Sequence, residues 1–440
     1  MIYNSAYRAD SSLLLNEWFQ RMWIIQEVAV SPDANITYGS WDIPWTDFAR
    51  AVPYAADLGV TFSWNSPKRH EQVSEIEAAR VAVNEQKAQT PLGLLLLHRT
   101  HIASDPRDKF YALCGLSSDS GPDGLNIEPD YTLSNRDVYT KVAVAMLKNC
   151  SKLDVLSVPK VPGKSEVSNL PSWVPDWSVS DFSRSFRYPN VSGGYPLQHQ
   201  ATPGYLRPDI TIDDTSNSIA ISGHLVDRIA AVGELYNPST DEDISWLQMT
   251  FWCMPSQQKV FNNWENIASA RSKISYANGE DIIDAYWKTL ALGQIGSTPE
   301  SLTAAKEEYL LWERYFREFM RYLPLTYIVW VFPLLSLFLY IFLGISHLLS
   351  GTPSDKVINF RYRIMFLTQR RICKTEKGYI GVVPRMAQKG DFVGLFKGGA
   401  VPLLLRTEGS NWQLVGDAYI HGIMNGEAFI EEICKYITIV

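Results

Sequence analysis

The stretch WFQRMWIIQEV, residues 18–28, has the strongest local pattern in this 440-residue chain. Apolar side chains in and just before it recur at steps of three and four residues, which predicts one amphipathic helix. The apolar positions are Leu14, Leu15, Trp18, Phe19, Met22 and Ile25. Trp23 and Glu27 are four residues apart, so they are predicted to lie on consecutive turns. An indole beside a carboxylate would raise the pKa of Glu27 and suit acid–base chemistry. A solvated or arginine-paired Glu27 is the alternative.

Four motifs follow one another along most of the chain. They are Arg21-x-Trp23-x-x-Gln26-Glu27, then DPRDKFYAL at 105–113, LPSWVPDW at 170–177 and GDAYIHGIMNGE at 416–427. In this order they resemble the fungal heterokaryon-incompatibility (HET) domain family. The family's opening stretches, Ser-Tyr-x-Trp-Gly and Trp-Ile-Asp with a later Cys-Ile-Asn-Gln, have no counterpart. The chain is therefore expected to lack the first half of a HET domain.

The resemblance implies a role in fungal non-self recognition, as an effector or interaction module of programmed cell death with a protein partner. The helix around Trp23 and Glu27 is also similar to the Trp-x-x-x-Glu helix of Toll/interleukin-1-receptor (TIR) domains, some of which cleave NAD. By that similarity Glu27 would be the catalytic carboxylate and Trp23 a wall of the site. NAD would be a substrate, and no cofactor is expected. If the first half of the domain is missing, as the resemblance implies, this chain alone is expected to cleave NAD poorly or not at all. A membrane-anchored scaffold without catalysis is the third hypothesis.

Composition excludes several classes of protein. A net charge of −7 argues against a nucleic-acid partner, which would require a basic face. The five cysteines are odd in number and form no CxxC pair, as is typical of a reduced intracellular chain without structural zinc. His98 and His101 have a spacing that suits one metal, but no acidic residue lies within the preceding turn. No metal site is therefore predicted, and no secretory signal is found at the start of the chain.

The acidic motif at 105–108 has a structural explanation. Asp105 is placed to cap a helix, Pro106 suits its first turn, and Asp108 is acidic near its start. Arg107 and Asp108 are then predicted to tie this helix to neighbouring loops, with ligand binding as the alternative. Arg21 and Gln26 are also expected to be structural.

Two prolines and two tryptophans make Leu170–Trp177 an extended, rigid segment. Trp173 and Trp177 are predicted to anchor it against the domain. An exposed pair of indoles that stacks on a nucleobase is the alternative.

Leu323–Leu349 contains no Asp, Glu, Lys or Arg, and a helix of this length would cross a hydrocarbon core. Pro333 should kink such a helix. The segment is predicted to associate with a membrane, either spanning it or lying in it as a re-entrant anchor. A buried core helix or a translated intron are the alternatives, and a cytoplasmic chain would follow from them.

The overall fold class is predicted as α/β to α+β, with a partial HET (TIR-like) domain, a helical middle region and a small antiparallel β module. Further elements are expected as a surface helix within 65–88, strands at 153–156 and 218–234, a hairpin across Gly398-Gly399, and a helix near Ala428. The predicted divisions are the HET part at 1–118, a helix–strand extension at 119–177, a loop and mainly helical region at 178–320, the apolar segment at 321–350, and the β module at 351–440.

Overall fold

A computed structural model describes most of the chain. The described residues are 13–14, 16–57, 69–117, 125, 127–149, 152–160, 167–179, 185–186, 199–213, 215, 217–238, 254–296, 298–331 and 355–440. The helices are α1 (Met22–Ala29), α2 (Trp45–Asp57), α3 (Arg69–Asn84), α4 (Pro91–Leu97), α5 (Asp108–Cys114), α6 (Asn135–Asn149), α7 (Met254–Ala268), α8 (Ile282–Leu290), α9 (Pro299–Val331) and α10 (Asp355–Ile364). The strands are β1 (Asn35–Tyr38), β2 (Trp41–Pro44), β3 (Ile210–Asp213), β4 (Ser218–Val232), β5 (Arg370–Thr375), β6 (Ile380–Pro384), β7 (Phe392–Phe396), β8 (Leu403–Glu408), β9 (Asn411–Asp417), β10 (Tyr419–Ile420) and β11 (Lys435–Ile439).

The expected single N-terminal helix is interrupted at Arg21. Residues Glu17–Gln20 form a 3₁₀ turn, and Arg21 has an extended backbone with φ −73° and ψ 135°. Arg21 forms a parallel β-bridge with Ile102, and the Met22 amide donates to the Ile102 carbonyl at 2.9 Å. The prediction of one continuous helix is wrong because this distant backbone segment provides hydrogen bonds in place of a helical turn.

Helix α1 packs on α3 and α5 rather than on a large sheet. Helix α3 was expected at the surface, but Val73, Ile76 and Ala79 are fully buried in the shared core. The expected strand at 153–156 is also wrong, because Asp154–Ser157 form a 3₁₀ turn. In contrast, the predicted capping box before α6 is confirmed, because the Asp137 amide donates to Ser134 Oγ at 3.2 Å.

Seven strands close into a barrel. Antiparallel pairs run from β4 to β5, from β5 to β6 and from β6 to β10, which continues from β9 through Ala418. Strand β9 then pairs with β8, β8 with β7, and β7 with β4, so the path returns to its first strand. Every strand of the ring contributes to one buried apolar cluster, through Ile229, Cys373, Val383, Val393, Leu404, Val415 and Ile420.

The long strand β4 holds this architecture together. Its first part pairs with β3 and β11, its middle with β7, and its end with β5. At Gly223 the pairing passes from β11 to β7, and a Cβ there would lie 2.9 Å from the Cα of Phe396. Glycine is therefore required by the close approach of two backbones. Strand β11 occupies the C-terminus, and the helix expected near Ala428 is replaced by a 3₁₀ turn at Glu431–Ile433.

Two further cores flank the barrel. One joins the N-terminal helices to the strands through side chains such as Ile221, Phe396 and Leu414. The other is rich in aromatic rings from α7 to α10 and reaches the barrel through Ile372 and Tyr419. The observed class is therefore α+β, with an antiparallel-rich sheet formed largely by the C-terminal part.

The predicted apolar segment Leu323–Leu349 is only partly described, since residues 332–354 lie outside the described ranges. Within those ranges, none of the helices combines the length and the apolar character that crossing a bilayer demands.

Candidate functional site

Trp23, Asp108 and Tyr131 form a hydrogen-bonded chain between three segments of the N-terminal part. The Trp23 indole nitrogen donates to Asp108 Oδ2 at 3.1 Å, and the Tyr131 hydroxyl donates to Asp108 Oδ1 at 2.6 Å. Both carboxylate oxygens are thus used. The bond to Asp108 raises the pKa of the Tyr131 hydroxyl to about 12. The structure therefore brings the first motif and the second motif into direct contact.

Arg107 joins the same turn to the chain before α6. Its guanidinium binds both oxygens of Asp105 and donates to the carbonyls of Tyr131 and Leu133 at 2.7 and 2.8 Å. Asp105 also accepts from the Arg107 amide at 3.0 Å, so it caps this turn just before α5 begins. The hydrogen bond from Arg107 holds the pKa of Asp105 below its ordinary value. These contacts occupy the motif's polar groups with protein partners.

Glu27 lies apart from this network. Its side chain is exposed, whereas Trp23 is half-buried and turned towards Asp108. Gln26 packs against the end of α5, where a Cβ on Gly115 would overlap its amide nitrogen. Arg21 is exposed and contributes its backbone to the bridge with Ile102. The pairing of Trp23 with Glu27 as one catalytic pocket stays a prediction.

The third motif is buried against the rest of the molecule. Trp173 and Trp177 are each 1% exposed, which leaves no face for a nucleobase. The Trp173 indole donates to the carbonyl of Asn217 at 3.0 Å. Arg99 lies 5.3 Å from the ring centroid of Trp177 and donates to the Asp176 carbonyl at 2.7 Å. The sequence did not predict a role for Arg99, because an arginine two residues after an apolar helix is rarely buried.

The fourth motif supplies a fully buried ion pair. Asp417 at the end of β9 and Arg370 at the start of β5 are each 0% exposed, and their Nη1 and Oδ1 atoms are 2.6 Å apart. Asp417 also accepts from the Phe186 amide at 3.0 Å, and Arg370 lies 4.0 Å from the Phe186 ring centroid. Asp417 of the fourth motif therefore neutralises the buried charge of Arg370.

His421 of the same motif belongs to a second network. Its Nε2 atom lies 2.6 Å from Glu280 Oε1, and its Nδ1 atom lies 3.2 Å from the Tyr419 hydroxyl. Burial lowers the pKa of His421 although Glu280 acts in the opposite direction. Burial alone would raise the pKa of Glu280, but hydrogen bonds from Lys288, Asn278 and His421 hold it below its ordinary value. The network ties α8 and its preceding loop to the end of β10.

A cavity of about 370 Å³ lies between the third motif and the barrel. Lys160 lines it and donates to the Leu414 carbonyl at 3.3 Å. Burial lowers the pKa of Lys160 to about 7. Ser172 and Asp176 of the motif line the same cavity, together with Arg406 of β8. The cavity is lined mostly by apolar side chains with a few polar groups, which suits a small ligand or a partner's side chain.

The arrangement defines an α+β protein in which a helical part, held together by the first two motifs, packs with a closed β-barrel that contains the fourth. A family model described as the Het-6 beta-barrel domain matches residues 353–435. The chain is 24% identical, over 470 aligned residues and 93% of its own length, to heterokaryon incompatibility protein 6, OR allele, of Neurospora crassa. It covers 64% of that relative's length. No solved structure matches the chain at a significant level.

The chain therefore resembles fungal heterokaryon-incompatibility proteins: one relative aligns along most of its length, and the family model matches its C-terminal part. The matched range begins two residues before α10 and ends at the first residue of β11, so it contains β5 to β10 but not β4. The closed ring nevertheless requires β4, which pairs with both β5 and β7.

Proposed function

We propose that this protein acts in fungal non-self recognition, as an effector or interaction module whose engagement leads to programmed cell death. The alignment to heterokaryon incompatibility protein 6 over 93% of the chain carries this proposal. The geometry supports an interaction role, because Trp23, Asp105, Arg107 and Asp108 use their polar groups to join segments of the protein. The partner is a protein whose identity the family resemblance leaves open.

The test is expression in a fungal host. The chain is placed under an inducible promoter in strains of differing incompatibility genotype, and dye uptake by dying cells is counted. Death that depends on genotype is expected. Asp108→Ala should abolish it by uncoupling α1 from the 105–108 turn, whereas Arg50→Met at an exposed ion pair should not. Equal survival of all genotypes with protein present at normal levels would contradict the proposal.

Cleavage of NAD by a TIR-like site makes a different prediction. If Glu27 were the catalytic carboxylate, Glu27→Gln would abolish death and preserve cellular NAD during induction. The exposure of Glu27 and its separation from the Trp23–Asp108 bond favour the interaction role. We therefore expect Glu27→Gln to kill as efficiently as the unchanged chain, with NAD levels that fall only after membrane integrity is lost.

We also propose that Leu323–Leu349 associates with a membrane, on the strength of its uncharged composition. The protein is expected in the membrane pellet after alkaline extraction. Replacing Leu337 and Leu343 by arginine should release it, because each central charge costs about 2.5–3.5 kcal/mol of insertion free energy. Release of the unchanged protein by alkali would reject the proposal.

A further inference from the structure

Glu75, His98 and His101 converge in the interior of the N-terminal part, outside all four motifs. Each offers one ligand atom, and these atoms lie within 4.8 Å of one another. His101 Nδ1 is 3.7 Å from Glu75 Oε2. No metal was predicted here, because no acidic residue closely precedes the histidines in the sequence. The fold nevertheless supplies one, because α3 brings Glu75 to them.

The two imidazoles lack the hydrogen bonds that buried rings normally make. His98 and His101 are both 0% exposed, and none of their four ring nitrogens has a hydrogen-bond partner within the described part of the chain. A buried polar group without a partner costs about 1–3 kcal/mol of stability. The ring nitrogens of both residues therefore point to no donor or acceptor within hydrogen-bond distance among the described residues. Such nitrogens are suited to bind a cation.

We propose that Glu75, His98 and His101 bind one Zn²⁺ ion. Two imidazole nitrogens and one carboxylate oxygen are a ligand set of zinc sites that keep a fourth position for another donor. Ligands of a tetrahedral zinc lie about 3.4 Å apart when each bond is about 2.1 Å long. The His101–Glu75 separation of 3.7 Å is close to that value, and the ligand atom of His98 lies within 4.8 Å of the other two.

The ion would join three segments of the N-terminal core. Glu75 belongs to α3, His98 caps the end of α4, and His101 precedes Ile102, whose backbone bonds to Met22 at the start of α1. The ion would hold α3 against the turn that receives α1. The ammonium of Lys109 lies next to His101 and donates to its carbonyl. Its positive charge opposes the binding of a metal cation nearby. The carboxylate of Glu75 offsets part of that charge.

The experiment measures metal in the full chain after removal of any histidine tag. The protein is produced in medium supplemented with Zn²⁺ or Co²⁺, and bound metal is quantified by mass spectrometry. About one ion per chain is expected. His98→Gln and Glu75→Gln should each reduce the metal content at least tenfold. His70 lies on the same helix as Glu75 but outside the cluster, so His70→Gln should leave the metal content unchanged.

A second measurement decides the matter if the variants fail to fold. X-ray absorption at the zinc edge of the unchanged protein should show nitrogen and oxygen neighbours that include two imidazoles. A metal content below one tenth of an ion in folded protein, retention of metal by folded His98→Gln, or a sulfur neighbour would overturn the proposal.

Discussion

Replacing Asp417 by asparagine leaves the guanidinium of Arg370 buried beside a neutral amide. Both side chains are 0% exposed and 2.6 Å apart, so bulk water cannot solvate the remaining charge. Removing one partner of a buried ion pair costs about 3–5 kcal/mol. The lower end is expected for Asp417→Asn, because Arg370 keeps its bond to the Asp417 carbonyl and its contact with the Phe186 ring. A loss of about 3 kcal/mol lowers the folded population relative to the unfolded one more than a hundredfold.

Hydrogen exchange followed by mass spectrometry is the suitable assay, because a chain with several cores does not unfold in one step. Amides of β5 and β9 should exchange through openings that are about 3 kcal/mol easier in Asp417→Asn and in Arg370→Met. The double variant Arg370→Met with Asp417→Leu should lose less than the sum of the single changes, because no buried charge is left unpaired.

Arg50→Met is the matched control. Arg50 and Asp47 form an ion pair of the same length, but their side chains are 79% and 59% exposed. Such pairs contribute about 0–1 kcal/mol. The loss of stability in the barrel caused by Asp417→Asn is compared with the loss in α2 caused by Arg50→Met. If the first loss were no larger than the second, the stabilising role of the buried pair would be refuted.

Four other predictions concern the motifs. Asp108→Asn should lower the pKa of Tyr131 from about 12 towards 10, as measured from tyrosinate absorbance. In the unchanged protein the raised pKa stabilises the fold fully below pH 10, and this stabilisation is lost as the pH rises through 12. Burial lowers the pKa of His421, so below the ordinary histidine pKa the unfolded chain binds more protons than the folded one. The melting temperature should therefore fall as the pH is lowered, and it should fall less steeply in His421→Gln. Trp177→Ala should cost about 3–5 kcal/mol in the same exchange assay, since the ring is 1% exposed. Glu27→Ala should change stability by less than about 0.5 kcal/mol in chemical denaturation, and a larger loss would reveal a contact of this exposed side chain.

The sequence by itself determined the elements whose signals act between near neighbours. Ser134 and Asp137 are three residues apart, so their capping box needs no other part of the chain. The β7–β8 hairpin follows from apolar strands on either side of Gly398-Gly399, with Val393 opposite Leu404 as that turn requires. The four motifs likewise indicated the family resemblance, because their order is a property of the sequence alone.

Only the tertiary structure decided which of these elements meet. Trp23 and Asp108 are 85 residues apart, and Glu75 reaches His101 from another helix. The break at Arg21 arises from a backbone bridge to Ile102, which no local propensity encodes.

Strand β4 was predicted as a strand, but its simultaneous pairing with four others was not. Closure of a barrel depends on the register of every strand around the ring, and such long-range agreement has no periodic signature in the sequence. Local propensity therefore accounts for the individual helices and strands, whereas long-range packing buried Trp177, Arg370 and His98 in the interior.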